Sequence, residues 1–182
     1  MYTKTLLTGL LCLLLTACAS TKNHFASKTE LDSDVTATIE ELYQHSSSAR
    51  TLARKASAML VFPAVVKGGV VVGGEYGEGA LLINDRTQDY YNIVGGSFGW
   101  QLGLQIKKQV ILFMNDEALN RFRTSSGWEA GVDGSVAIAN LGAGGKISTE
   151  TAQKPIIGFI FSNKGLMYNL TFEGSKITRV EM

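Results

Sequence analysis

Glycine divides this chain in two. Of its 20 glycines only Gly9 precedes Gly68, and the rest punctuate residues 68–182. Glycine inside a helix or strand costs about 0.5–1 kcal/mol relative to alanine. A long stretch without it therefore suits helices. A stretch dense in it suits strands that bend, turn tightly or lie close to another layer. Gly69, Gly73 and Gly77 recur every four residues, as do Gly95, Gly99 and Gly103. In a strand an even spacing sets such residues on one face. The same spacing occurs in membrane-helix dimers, but Glu75, Glu78 and Gln101 interrupt these stretches.

Period two supports the strand reading. Phe98, Trp100, Leu102, Leu104 and Ile106 alternate with glycine and glutamine over residues 98–106, as in a half-buried strand. Val132, Val136 and Ile138 share a parity, as do Leu166, Tyr168, Leu170 and Phe172. Further strands are expected at 59–62, 69–74, 79–84, 89–94, 109–113, 156–161 and 176–180. Asn84-Asp85, Asn163-Lys164-Gly165 and Glu173-Gly174 have the composition of hairpin turns.

The glycine-poor part reads as two helices. Leu31, Val35, Ile39 and Leu42 recur at helical spacing, with Ser27 and Glu30 placed as a capping box and Asp32 and Asp34 near the start. Ser46-Ser47-Ser48 ends that helix and opens a second, whose apolar face is Ala49, Leu52, Ala53 and Ala56. A further helix is expected at 116–123, acidic at its start and basic at its end. The fold class expected is α+β: N-terminal helices packed on a curved, glycine-rich antiparallel sheet that can approach a barrel.

The first residues are a targeting segment. One positive charge, Lys4, precedes an apolar run from Leu6 to Leu15, the layout of a secretory signal peptide. The run is short of the roughly 20 residues a membrane span needs. Leu15-Thr16-Ala17-Cys18 resembles the bacterial lipobox. That resemblance implies cleavage before Cys18 and acylation of its sulfur and new amino terminus, palmitate being one such chain. Ala19 after the cysteine implies sorting to the outer membrane, facing the periplasm. The expected organisation is a leader over 1–17, a tether over 18–28 and one domain over 29–182. The tether reaches roughly 30 Å when extended.

Loss of the leader removes Lys4 from 17 basic residues and leaves charge balance with 16 acids. This balance gives no support to nucleic-acid binding. Cys12 leaves with the leader and Cys18 is acylated, so no thiol remains for a disulfide, metal or nucleophile. Gly95-Gly96-Ser97-Phe98-Gly99 spells the nucleophile-elbow pattern. The elbow needs a strand-to-helix turn and a following histidine, whereas His24 and His45 both precede it. Gly144-Gly145-Lys146-Ile147 lacks the hydroxyl residue of a phosphate loop. Asp116, Glu117, Glu129 and Asp133 are the carboxylates available for acid–base pairing, the first two being better placed as helix caps. No cofactor, metal or catalytic activity is expected.

From Lys55 onward the chain resembles the SYLF, or Ysc84, family. The matching stretches include Lys55-Ala56-Ser57-Ala58-Met59-Leu60-Val61-Phe62-Pro63, Val66-Lys67-Gly68-Gly69, Gly73-Gly74-Glu75-Tyr76-Gly77-Glu78-Gly79-Ala80-Leu81, Ser126-Gly127-Trp128-Glu129 and Phe161-Ser162-Asn163-Lys164-Gly165-Leu166-Met167. The resemblance implies binding of anionic lipid headgroups, phosphatidylglycerol or cardiolipin in a bacterial envelope. An independent feature agrees with it. No acid occurs between Glu41 and Glu75, while Arg50, Arg54, Lys55 and Lys67 do. These four are the candidate headgroup contacts, Lys55 and Lys67 also matching the family stretches. Lys107-Lys108 is a weaker candidate, and Trp128 and Trp100 are candidate interfacial anchors. The competing reading pairs the basic segment with the five acids of residues 30–41, leaving a structural or partner-binding lipoprotein whose anchor alone meets lipid.

Overall fold

The computed structural model describes residues 27–69, 72–98, 103–139, 147–162, 165–166, 172 and 174–182. The leader, Cys18 and most of the tether lie outside the described residues, as do Trp100, Leu102, Tyr168 and Leu170. The architecture is α+β. Helices α1 (Lys28–His45) and α2 (Ser47–Ala53) precede strands β1 (Ala58–Gly69), β2 (Val72–Ile83), β3 (Arg86–Phe98) and β4 (Gly103–Phe113). Helix α3 (Asp116–Thr124) follows, then β5 (Trp128–Glu129), β6 (Ala137–Ile138), α4 (Thr149–Ala152), β7 (Ile156–Ser162), β8 (Gly165–Leu166) and β9 (Ser175–Val180).

The strands form one curled half-barrel in the order β5-β9-β3-β2-β1-β4-β7-β6, with β8 paired to β7. All pairings are antiparallel except β6 with β7. The order 3-2-1-4 of the first four strands is a Greek key. Its β1–β2 and β3–β4 connections share one end of the sheet, and the Asn84-Asp85 turn sits at the other. Both turn residues have positive φ, 52° and 59°, the conformation of a two-residue hairpin.

Period two misplaced several boundaries. The stretch 69–74 straddles the β1–β2 connection and 98–106 the β3–β4 connection, because alternation can continue through a turn. Val132 lies in a turn and is exposed. The helices follow their signals more closely. Ser27 Oγ accepts from the Glu30 amide at 3.3 Å, Ser46 Oγ from Ala49 at 3.0 Å, and Asn115 Oδ1 from Ala118 at 2.9 Å. Helix α2 stops at Ala53, so Ala56 is outside it.

Each face of the sheet buries its own core. On the helical side, Leu31, Val35, Leu42 and Leu52 meet Met59, Val61, Val110 and Phe159. On the inner side Phe122 of α3 is central, with ring centroids 4.8 Å from Phe113, 4.9 Å from Tyr91 and 5.8 Å from Trp128. Burying an aromatic cluster of this kind dominates core energetics. Trp128 is only 2% exposed, so it is a core residue and not an interfacial anchor.

A bulge in β1 connects the two cores. Val61 pairs with Ala80 and Ala64 with Glu78, so Phe62 and Pro63 together oppose Gly79. Proline, lacking an N–H, suits a bulge. A Cβ on Gly79 would lie 2.3 Å from Val61 O, which is why the position has no side chain. The bulge also reverses parity: Phe62 and Val65 both enter the inner core.

Beyond the bulge, the inner side holds a buried ion pair. Lys107 Nζ is 2.7 Å from Glu75 Oε2, with side chains 4% and 9% exposed. Ser175 Oγ donates to Glu75 Oε1 at 2.9 Å. The three groups tie β4, β2 and β9 together across the curl. Gly95 stands beneath the Glu75 side chain, where a Cβ would come 2.9 Å from Glu75 Cγ. Lys107 is therefore buried and paired and is not placed to be a headgroup contact. Lys108 itself is ion-paired with Glu41 of α1.

Replacing Lys107 by methionine leaves Glu75 charged and buried without its partner, and costs about 3–5 kcal/mol. Urea denaturation measures this, and adding Glu75→Gln should recover much of the loss. Gly79→Ala, which overpacks backbone, should destabilise by about 1–3 kcal/mol. Gly96→Ala, with nothing within 4 Å of the new Cβ, should shift the urea midpoint far less.

Candidate functional site

The basic segment enters the fold through α2. Ala49 and Leu52 are buried against the sheet, which turns Arg50 and Thr51 outward. Arg54 caps the helix and Lys55 follows it in the turn to β1; both are exposed. The Arg50 guanidinium carbon lies 5.1 Å from the Tyr43 ring centroid, a cation–π distance. These residues border a cleft of about 480 Å³ between the end of α1, α2 and the β2–β3 turn, lined by Tyr43, Arg50, Arg54, Ser57, Asn84 and Asp85.

The electrostatics of the cleft are mixed but cationic in sum. Burial first, and then Asp85, push the Tyr43 hydroxyl above its ordinary pKa, while Arg50 and Arg54 pull it down. Tyr43 is thus a neutral donor at physiological pH. Two guanidinium forks, a phenol and an asparagine can together bind a phosphate, with Lys55 at the rim adding charge. Arginine is well suited to this role because its planar fork matches phosphate oxygens.

None of the four candidate cations makes an ion pair among the described residues, and two of the five acids of α1 have other partners. Asp32 accepts from Thr87 Oγ1 at 2.9 Å and from the Tyr90 hydroxyl at 3.1 Å. Glu41 holds Lys108 and lies 3.6 Å from His45 Nε2. The α1 acids therefore do not neutralise the neighbouring basic segment by direct pairing, as the competing sequence reading required.

The four cations do not form one patch. Arg50, Arg54 and Lys55 lie at the start of β1. Lys67 stands nine residues past Ala58, a separation of roughly 30 Å along a strand. It is half-buried opposite Glu75 and Gln105. The parity change at Pro63 also puts it on the inner side, away from α2. Tyr43 and Asp85, in contrast, had no sequence signal for this cleft, because only tertiary packing brings α1 and the β2–β3 turn beside α2.

The carboxylates do not assemble an acid–base pair. Asp116 and Glu117 lie in the first turn of α3, and Asp133 Oδ2 accepts from the Glu129 amide at 2.6 Å. Ser97 lies within β3 and not at a strand-to-helix turn. Among the described residues no group of three or more His, Cys, Asp or Glu is placed to hold a metal ion. No described helix is long and apolar enough to cross a membrane.

No curated protein matches the chain. A family model, Ysc84, described as Las17-binding protein actin regulator, matches residues 94–181. The matched span runs from the end of β3 through β9, taking in α3 and both partners of Glu75, Lys107 and Ser175. By this match the C-terminal part of the chain is similar to the Ysc84, or SYLF, family.

Proposed function

We propose that this chain is an envelope lipoprotein, acylated at Cys18 and held at the outer membrane, whose Ysc84 domain binds anionic phospholipid headgroups without catalysis. The observation that carries the reading is the exposed trio Arg50, Arg54 and Lys55, which has no ion-pair partner among the described residues. Several cations elsewhere in the fold are matched: Arg179 lies 2.6 Å and Arg123 3.6 Å from Asp89. Unmatched cations beside a cleft are free to meet phosphate. The family, one of lipid- and partner-binding domains, supports the same class of ligand.

Each basic group close to an anionic membrane surface contributes about 1 kcal/mol, and screening weakens the attraction with a Debye length near 10 Å at 0.1 M salt. The chain from Ala19 onward contains every described element and tests the domain without its anchor. It should sediment with phosphatidylglycerol vesicles, not with phosphatidylcholine vesicles, and less in high salt. Combined Arg50→Gln, Arg54→Gln and Lys55→Gln should reduce partitioning by about two orders of magnitude. Lys67→Gln, remote from the trio, should reduce it by less than tenfold. Equal sedimentation with both vesicle types would overturn the reading.

A further inference from the structure

The end of the sheet remote from the trio carries an unusual row. Val94 pairs with Tyr76, Tyr76 with Val66, and Val66 with Ile106. The four side chains therefore stand in one register layer across β3, β2, β1 and β4, roughly 14 Å wide. All are solvent-exposed: Val66 38%, Tyr76 43%, Val94 49% and Ile106 57%. They project from the helical side of the sheet, just beyond the point where α1 ceases to cover it. Single exposed apolar residues are ordinary, whereas a contiguous row marks a contact surface.

The charge pattern indicates what the contact is. No charged residue occurs from Tyr90 to Ile106, nor from Gly68 to Gly74. Glu75 is neutralised inside the curl by Lys107. The next residue in the row beyond Val94 is Lys176, which is exposed, and Lys67 stands on the opposite side of the same strand end. Neither makes an ion pair among the described residues. Acids border the row at two places: Asp34 and Glu78 share a cavity with Val66 and Tyr76, and Glu129 of β5 is the register partner of Lys176. Glu78 accepts the Tyr76 hydroxyl at 2.8 Å. Burial, with this hydrogen bond, raises the Tyr76 pKa to about 12, so the ring meets its surroundings as a neutral phenol. Aromatic rings with a polar tip favour the membrane–water interface.

The chain's entry point agrees. Ser27, the first described residue, lines one cavity of about 660 Å³ together with Tyr76 and Glu78. Eight residues separate it from Cys18, so an acylated Cys18 would keep this end of the sheet within roughly 30 Å of the bilayer.

We infer that the Val94–Tyr76–Val66–Ile106 row is a bilayer-insertion surface, seated in the interfacial zone of the membrane that holds the anchor. Asp34 and Glu78 set the depth it can reach, and Lys67 and Lys176 meet the surrounding anionic headgroups. This rests on the lipid-binding reading but not on the cationic trio, which lies at the other end of β1 and makes a separate contact.

Cys12 and Cys18 are the only cysteines, so the chain from Ala19 accepts a single engineered one. Ile106→Cys, and Val132→Cys as the reference (Val132 being 74% exposed in the turn after β5), are labelled with an environment-sensitive fluorophore. Phosphatidylglycerol vesicles carrying nitroxide lipid should blue-shift the label at position 106 and quench it several-fold more than the label at 132. Val66→Ser with Ile106→Ser should lower salt-resistant sedimentation about tenfold or more and leave the urea midpoint unchanged. Sedimentation that persists without quenching at position 106 would overturn the insertion surface and leave the headgroup reading standing. Absence of sedimentation would overturn both. A blue shift that grows with protein concentration and needs no vesicles would make the row an interface between copies instead.

Discussion

The bulge at Phe62-Pro63 is the constraint on which the arrangement of this domain turns. Strand β1 lies at the centre of the sheet, between β2 and β4, and contributes to both cores. Two residues opposing one shift every later side chain of β1 to the other face. Without that shift Val65 would point toward the helices and Val66 toward the interior, and the row of exposed apolar side chains would lose its β1 member. Gly79 is the complementary feature. Its missing Cβ is the space into which the bulged backbone of Val61 and Phe62 moves.

The curl follows from what lies past the bulge. Groups on β9, β2 and β4 can reach one another only if the sheet bends enough to bring alternate strands together. The Ser175–Glu75–Lys107 chain is such a contact. An ion pair this deep gives little net stability, since desolvation offsets most of the attraction. What it supplies is geometric: a charged group accepts few arrangements other than the one in which it is paired. Glu75 can lie flat across β3 because Gly95 has no side chain, so one glycine and one carboxylate together define the curvature at this end of the sheet.

Much of this was legible in the residues, and the failures have a common origin. Capping serines at 27 and 46, the acidic start of α3 and the Asn84-Asp85 turn act locally, over three or four residues, and local signals survive in a sequence. The change from glycine-free to glycine-rich composition foretold helices followed by a bent sheet. Lys67 shares one acid-free segment with Arg50, Arg54 and Lys55, but nearness along the chain is not nearness in space. A strand lengthens by roughly 3.3 Å per residue, so a dozen residues place Lys67 at the other end of the molecule. Its face depended on the bulge, which Pro63 hinted at and did not specify. The fate of Lys107 is hidden in the sequence for a related reason. Two adjacent lysines in a strand point to opposite faces, and here each face supplied its own carboxylate, Glu75 within the curl and Glu41 on α1.

That pairing bears on how a chain with balanced charge can present a cationic surface. Among the described residues, Glu75, Glu41 and Asp89 are engaged by Lys107, Lys108 and two arginines, and Asp32 by hydroxyls of β3. Carboxylates held in this way contribute little to the field outside, because each is screened by a partner within hydrogen-bond reach. The trio on α2 and the turn after it is left without such partners, as are Lys67 and Lys176 at the opposite end. The two ends therefore differ in kind. One offers guanidinium groups over a polar cleft, where attraction is electrostatic and salt-dependent. The other offers apolar side chains with cations at the margin, where contact with a bilayer removes hydrocarbon surface from water and persists in salt. The Greek-key order contributes to this polarity, since it gathers the uncharged β1–β2 and β3–β4 connections at one end and leaves the cations of α2 at the other.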